Sequence, residues 1–135
     1  MTPYRHSHAP RGLTLLEMTL VIFLVLTLAG GGLYFGGKIG DWRSGRNAAE
    51  TLRTVYAAQR MFLSDNPTVK VADLTPEQLI PYLPRGYTAI PTVTSLEGNE
   101  LEIKITVTPP VVDGGGGAVY DPSGSGKDGL WDIGR

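Results

Sequence analysis

The chain has 135 residues, enough for one domain, and its 12 basic and 13 acidic side chains give a net charge of −1. This balance argues against nucleic acid as a main partner, because phosphate binding needs a concentrated basic face. The chain contains no cysteine, which excludes disulfides, cysteine-ligated zinc, iron–sulfur clusters and thiol nucleophiles.

Apolar residues are concentrated near the N-terminus. The stretch from Met18 to Gly37 contains 20 residues and no charge. As a helix with a rise of about 1.5 Å per residue it would span about 30 Å, the hydrocarbon thickness of a bilayer. The sequence therefore predicts a short leader, one membrane-length helix and a water-exposed part that begins near Lys38.

Ordinary targeting signals are alternatives for this N-terminus. A secretory signal would use Arg5 and Arg11 as its basic region and Thr27-Leu28-Ala29 as its cleavage site. A lipoprotein signal fails, because Gly31 stands where the lipidated cysteine must be. Glu17 argues against the secretory signal, since an acid at the start of the apolar core gives it no advantage.

The hexapeptide Gly12-Leu13-Thr14-Leu15-Leu16-Glu17 resembles the type IV prepilin signature, which type IV pilins share with the pseudopilins of type II secretion. That signature is a basic leader ending in Gly, an apolar residue, Thr or Ser, two aliphatic residues and Glu, followed by an apolar helix. The resemblance implies that a prepilin peptidase cuts between Gly12 and Leu13 on the cytoplasmic side. It also implies N-methylation of Leu13, where the family more often has Phe.

Glu17 has a physical role in this interpretation. An acid inside a bilayer helix costs roughly 2.5–3.5 kcal/mol or more, so it is rare and usually has a partner. Cleavage after Gly12 creates an amine on Leu13, four residues before Glu17 and on the same helical face. Glu17 is therefore predicted to be an assembly residue that meets the amine of a neighbouring subunit. The alternative is that it marks the membrane interface of a plain anchor.

Two further features of this region leave alternatives open. The glycines at 30–32, 36 and 37 provide either flexibility or close helix–helix packing. Lys38, Arg43 and Arg46 follow the apolar stretch as closely as Arg5 and Arg11 precede it, so charge counting alone does not set the membrane orientation.

The periodicity predicts that the helix continues as an amphipathic segment from Ser44 to Asp65, and that Asn66-Pro67 ends it. With residues 13–37 this makes a helix of about 53 residues. Gln59 lies in the buried stripe and is expected to bond backbone groups. The predicted stripe contains Ala48, Leu52, Val55, Gln59, Phe62 and Leu63, with Tyr56 at its edge; Arg46, Glu50, Arg53 and Met61 are predicted on the other side.

The remainder predicts a small head. A capping box at Thr75–Gln78 begins a short helix that runs from Pro76 to about Tyr82. Strands are expected at Tyr87–Thr94, broken by Pro91, and at Leu101–Thr108. The fold class is α+β, a long N-terminal helix packed on a small antiparallel sheet, as in pilins. The predicted regions are a leader (1–12), a membrane or filament-core helix (13–37), its amphipathic half (38–66) and the head (67–135).

The C-terminal segment contains Asp121, Asp128 and Asp132 among glycines and serines, a composition that suits a calcium site. Asp121-Pro122-Ser123-Gly124 resembles the Asp-Pro-Trp-Gly element of calcium-binding major pseudopilins, with Ser123 in place of Trp. The alternative is a run of surface turns led by these acids, with Trp131 and Ile133 pinning the tail to the sheet.

No catalytic constellation is visible, because both histidines lie in the leader, so we expect a protein that is not an enzyme. The resemblance implies a subunit that polymerises with itself and with related pilin-like subunits. It would be processed by prepilin peptidase, held by membrane lipid before assembly and handled by an inner-membrane assembly platform. Its head would lie outside the cytoplasm, then in a periplasmic or cell-surface filament. A type II secretion pseudopilin is favoured; a type IV pilin and a non-polymerising anchored or secreted binding domain are the alternatives.

Overall fold

The computed structural model describes residues 12 and 14–134. Its first element is the helix α1, Leu15–Asp65, which has 51 residues and ends immediately before Asn66-Pro67, as predicted. The chain divides into two compact units, Met1–Gly37 and Lys38–Arg135, which are described separately below.

The first unit contributes the apolar start of α1. The helix continues without a break through the glycines at 30–32, 36 and 37. The large apolar side chains from Leu15 to Phe35 are exposed, and no residue in the most apolar window of α1 is buried. This helix is long and apolar enough to cross a membrane.

In the second unit, α1 provides one wall of the hydrophobic core. The predicted stripe is confirmed at Ala48, Leu52, Val55, Gln59 and Phe62, all of which are buried. Gly45, Ala49 and Ala58 are buried as well, because small residues let the head approach the helix backbone.

The prediction that Arg53 lies on the solvent side of α1 is wrong. Its side chain is half-buried, and its Nε donates a hydrogen bond to the Ile133 carbonyl at 2.7 Å. The C-terminal tail therefore covers a flank of the helix that the periodicity assigned to water.

The helix α2 covers Pro76–Leu79, and a 3-10 turn at Ile80–Tyr82 follows it. The predicted capping box is present, with the Thr75 backbone N donating to Gln78 Oε1 at 3.1 Å. The α-helical part is shorter than predicted, because Pro81 has no N–H to donate and the last turn tightens. A further 3-10 turn at Val71–Asp73 was not predicted.

The sheet consists of two antiparallel pairs. The strand β1, Val93–Thr94, pairs with β2, Glu100–Leu101, and β3, Ile103–Lys104, pairs with β4, Val111–Val112. The Glu102 carbonyl between β2 and β3 accepts a hydrogen bond from Asp113 N at 2.8 Å, which continues the β3–β4 ladder.

Both predicted strands are shorter than expected. The predicted Tyr87–Thr94 strand is limited to β1, the two residues that lie beyond Pro91. The predicted Leu101–Thr108 strand stops after Lys104, because the next residues come opposite Pro109-Pro110, which has no N–H to donate to the ladder. The carbonyls of Ile105 and Val107 accept hydrogen bonds from the Gln59 side chain, each at 2.8 Å. The expected role of Gln59 is thereby confirmed, and β4 beyond Pro109-Pro110 was missed.

The core lies between α1, α2 and the sheet. Its completely buried members include Leu52 and Val55 of α1, Leu79 of α2 and Val112 of β4. Trp131 from the C-terminal tail closes it, with 3% of its surface exposed. The head is thus one small core built on the second half of the helix.

Candidate functional site

The predicted processing site lies immediately before α1. Gly12 is exposed and outside any regular element, and the helix begins at Leu15. Leu13, on the other side of the predicted cleavage bond, lies outside the described residues. Gly12 itself is therefore non-helical and solvent-accessible.

Glu17 lies in the first turn of α1. Its backbone N donates a hydrogen bond to Thr14 Oγ1 at 3.2 Å, so Thr14 caps the N-terminus of the helix. Thr-Leu-Leu-Glu is a capping-box sequence, a signal that the sequence interpretation overlooked. Glu17 consequently lies in the turn whose N–H groups lack intrahelical partners, at the positive end of the helix dipole.

The C-terminal loop is organised around Asp121. Its Oδ1 accepts hydrogen bonds from Ser123 N at 3.1 Å and from Ser123 Oγ at 2.5 Å. Its Oδ2 accepts one from Gly126 N at 3.0 Å. Gly124 and Gly126 both have positive φ, which only glycine adopts without cost. The acid therefore supports a turn whose backbone angles the glycines make possible.

Asp128 and Asp132 lead the turns that follow. Asp128 Oδ1 accepts from Leu130 N at 3.0 Å, and this bond is the main reason why the pKa of Asp128 is lowered. Asp132 Oδ1 accepts from the backbone N of Gly129 and of Gly134. The turns expected at these acids are thus present.

Several oxygens converge on the Ser123 hydroxyl. Its Oγ lies 2.5 Å from Asp121 Oδ1, 3.3 Å from Asp128 Oδ1 and 3.4 Å from the Leu130 carbonyl. Asp132 Oδ2 is buried without a hydrogen-bond partner among the described residues. Between residues 14 and 134, however, no three Asp, Glu, His or Cys side chains form a group that could hold a metal ion by themselves. The structure does not bring the three predicted carboxylates together as one such cluster.

The tail packs on the core, where Trp131 shares one buried cluster with Val93, Ile103 and Val112 of the sheet, and it is also attached to α1, which was not predicted. Trp131 N donates to the Gly45 carbonyl at 3.0 Å, and Arg53 Nε holds the Ile133 carbonyl. The Trp131 ring also stacks edge-to-face on Tyr120, with 5.0 Å between centroids. Sequence reasoning missed Gly45 and Arg53, because a glycine and an arginine on a helix give no periodic apolar signal.

Tyr120 links the C-terminal segment to the β1–β2 hairpin. Its hydroxyl donates to Glu97 Oε2 at 3.0 Å and accepts from Leu96 N at 2.9 Å. The pKa of Glu97 is lowered, first by a hydrogen bond from the Ser95 side chain, then by its own backbone N–H and by Tyr120. This network joins the turn of the β1–β2 hairpin to Tyr120, the residue immediately before the C-terminal loop that Asp121 organises.

No protein-family model, curated protein or solved structure matches the chain. Its function is therefore inferred from its own residues.

Proposed function

We propose that this protein is a structural subunit of a type IV filament-like assembly, a pseudopilin of type II secretion that prepilin peptidase cleaves between Gly12 and Leu13. The observation that carries the proposal is the position of Glu17: a single acid in the first, Thr14-capped turn of an exposed apolar helix, five residues after Gly12. A secretory signal gains nothing from this arrangement.

The apolar surface of α1 must be covered in the cell. Leu15, Leu33 and Phe35 are 84%, 83% and 65% exposed, and a surface of this extent is not stable in water. A bilayer covers it before assembly, and the equivalent helices of neighbouring subunits cover it in a filament. The protein is then a single-pass inner-membrane protein with its head outside the cytoplasm until it enters a periplasmic filament.

Glu17 and the processed N-terminus form the assembly contact. In apolar surroundings the carboxylate needs a cationic partner, and the amine that cleavage creates on Leu13 supplies one from an adjacent copy. Cleavage is thus coupled to polymerisation, because the unprocessed chain has an amide at that position.

Two substitutions test the proposal in a cell that has the cognate peptidase and platform. Gly12→Trp should leave a full-length precursor in the inner membrane. Glu17→Gln should be cleaved normally but should be lost from filaments at least about tenfold, the effect of one uncompensated contact worth about 1.4 kcal/mol. Glu50→Gln is the matched control, since Glu50 is an exposed acid of α1 whose ion-pair partner is Arg46 at 3.7 Å. Normal filament incorporation of Glu17→Gln would contradict the proposal.

The C-terminal loop favours a pseudopilin over a type IV pilin, the alternative. Type IV pilins often close this loop with a disulfide, and this chain has no cysteine. Here hydrogen bonds attach the tail to α1 instead: Arg53 Nε donates to the Ile133 carbonyl, and Trp131 N donates to the Gly45 carbonyl. Major pseudopilins commonly lack cysteines, and the resemblance to them implies a C-terminal loop that calcium organises.

The proposal includes a calcium ion bound in the C-terminal loop. The donor groups suit a hard cation, which prefers carboxylate, hydroxyl and carbonyl oxygens. Asp121, Asp128 and Asp132 would have to move closer together to hold the ion beside Ser123 Oγ and the Leu130 carbonyl, because the described loop does not group the three carboxylates. The buried Asp132 Oδ2, which has no hydrogen-bond partner among the described residues, is the observation that favours this set. A bound ion would supply the positive charge that neutralises the three acids.

Thermal unfolding of the full chain in detergent, with calcium or with a chelator, tests this part. Binding stabilises the folded head by RT ln(1 + [Ca]/Kd), about 2.7 kcal/mol at a hundredfold excess over Kd. The unfolding midpoint of the parent should fall when the chelator removes calcium, whereas the midpoint of Asp121→Ala should be the same with calcium and with chelator. Glu77→Ala, an exposed acid in α2, is the control. Equal midpoints with and without calcium in the parent would exclude the ion and favour a type IV pilin.

A further inference from the structure

The segment of α1 from Lys38 to Arg46, here called the neck, has a composition that the filament proposal does not use. It carries three basic side chains, Lys38, Arg43 and Arg46, against one acid, Asp41. All four are exposed, and so is Trp42, with 54% of its surface accessible. Arg46 forms an ion pair with Glu50, whereas Lys38 and Arg43 have no ion pair within the described residues.

Trp42 lies on the face of α1 that carries the head. Gly45 and Ala49 follow it by three and seven residues, spacings that put all three on one side of a helix. Both of those residues are buried, Gly45 against Trp131. Trp42 is thus one turn closer to the N-terminus than the edge of the head, and an indole left half-exposed there requires an explanation that the head does not supply.

Counting along the helix gives the depth of Trp42 relative to a bilayer. If Glu17 marks one boundary of the hydrocarbon, about 30 Å of helix reaches the other boundary near Gly37. The Trp42 backbone follows after five more residues, about 7.5 Å, which is the outer limit of a headgroup layer about 5–7.5 Å thick on each side of the hydrocarbon. Because helical side chains lean toward the N-terminus of the helix, the indole is directed back into that layer. Indole rings are enriched at this level, because they combine an apolar body with one polar N–H.

The charges of the second unit fit the same position. The neck is basic, whereas residues 66–134 carry nine acids and four basic side chains. An anionic membrane surface attracts the neck and repels the rest of the head. This distribution accounts for Lys38, Arg43 and Arg46, which follow the span on the side where basic residues are usually sparse.

We propose that the neck binds anionic phospholipid headgroups of the outer leaflet of the membrane that α1 spans, with Trp42 at headgroup depth and Lys38, Arg43 and Arg46 beside lipid phosphates. This inference rests on the proposed membrane span. It gives the neck a function before assembly, which is to bind the membrane surface. Polymerisation must then break these lipid contacts.

The two tryptophans make the test direct, since Trp131 is 3% exposed and Trp42 is not. The full chain is placed in vesicles of phosphatidylcholine, with or without phosphatidylglycerol, and the Trp42 signal is obtained by subtracting the spectrum of Trp42→Phe. Lipids brominated near the glycerol should quench Trp42 at least about twofold more than lipids brominated at the chain ends, as expected for an interfacial indole. Acrylamide should quench it less when phosphatidylglycerol is present.

The double variant Lys38→Gln/Arg43→Gln tests the electrostatic part. Each basic residue near an anionic surface contributes roughly a fivefold change in the binding equilibrium. In this variant, phosphatidylglycerol should therefore no longer reduce the quenching of Trp42 by acrylamide. Lys70→Gln/Lys127→Gln removes the same charge from exposed positions of the head and should retain the effect.

Three results would overturn the inference. In the first, acrylamide quenches Trp42 equally with and without phosphatidylglycerol while the protein resists extraction by alkaline carbonate. This result would support the membrane span and exclude the lipid contact of the neck. Shielding that rises with protein density, without quenching by brominated lipid, would assign the neck to a second copy of the chain. Release of the protein by carbonate would refute the span and the lipid contact together.

Discussion

Gly45 is the residue on which the attachment of the C-terminal tail depends. A Cβ at this position would lie 2.8 Å from Trp131 Nε1 and 3.2 Å from Leu130 Cβ, so the tail approaches the helix as closely as a glycine allows. Trp131 itself has a φ of 64°, a conformation that costs an ordinary residue about 1–2 kcal/mol. Burial of its ring and the bond to the Gly45 carbonyl offset that cost.

We predict that Gly45→Ala destabilises the head. Overpacking costs about 1–3 kcal/mol, and the gain in helix propensity returns at most about 1 kcal/mol. Gly40→Ala is the control in the same helix, because nothing lies within 4 Å of its added Cβ, and it should be neutral or stabilising. Chemical unfolding in detergent, followed by near-ultraviolet circular dichroism of Trp131, measures both. Equal stability of the two variants would contradict the close contact.

At the scale of the elements, the β1–β2 hairpin depends on an ionised Glu97. Its folded pKa lies below the ordinary value of 4.5, so its contribution to stability is fully present above pH 4.5 and is lost as the pH falls through the lower folded pKa. We predict that acid weakens the contact between the hairpin and Tyr120 in this range. Glu97 is exposed, so the effect is small.

The measurement is hydrogen exchange at Leu96 N, whose bond to Tyr120 Oη is part of the same network. Protection in the parent should fall on acidification through the folded pKa of Glu97, after correction for the intrinsic exchange rate, whereas Glu97→Gln should show a flat corrected profile. Glu100→Gln, on the neighbouring strand, should titrate like the parent. A flat profile in the parent would show that the network does not depend on charge.

The elements differ in how far the sequence predicts them. The end of α1 and the capping box at Thr75 follow from local chemistry, since Pro67 cannot continue the helix and Gln78 reaches back to Thr75 N. The end of β3 also follows from local chemistry, because Pro109-Pro110 comes opposite the residues after Lys104 and cannot donate to the ladder. The specific carbonyls that Gln59 binds, on Ile105 and Val107 over 40 residues away, do not follow from local chemistry. The attachment of the tail to α1 was not predicted, because its contacts with Gly45 and Arg53 are long-range and leave no periodic pattern.

At the scale of the whole chain, the glycines at 30–32 leave room for larger side chains: among residues 12 and 14–134, a Cβ at any of the three would meet nothing within 4 Å. We therefore expect replacement by alanine to act through the stiffness of the span or through contacts with another chain. We predict that the triple alanine variant inserts into membranes and keeps the unfolding free energy of the head, while its filaments change in number or in resistance to shear.

Electron microscopy and shear assays of this variant, with Gly40→Ala as control, check the prediction. If the glycines at 30–32 act as a hinge or as a close helix contact, the filaments of the triple variant should change and those of Gly40→Ala should not. Filaments that match the parent in both respects would show that neither flexibility nor close packing at these glycines contributes to assembly.

The central claim concerns where the mature chain begins. Cleavage after Gly12 would remove Arg5 and Arg11, leave ten basic and thirteen acidic side chains, and free the amine that we propose as the partner of Glu17. Intact-mass and N-terminal peptide mass spectrometry of the protein from its native membrane tests this claim most directly. The account predicts that Leu13 is the first residue and that its amine is methylated; a chain beginning at Met1, or at Gly30 after ordinary signal cleavage, would contradict it.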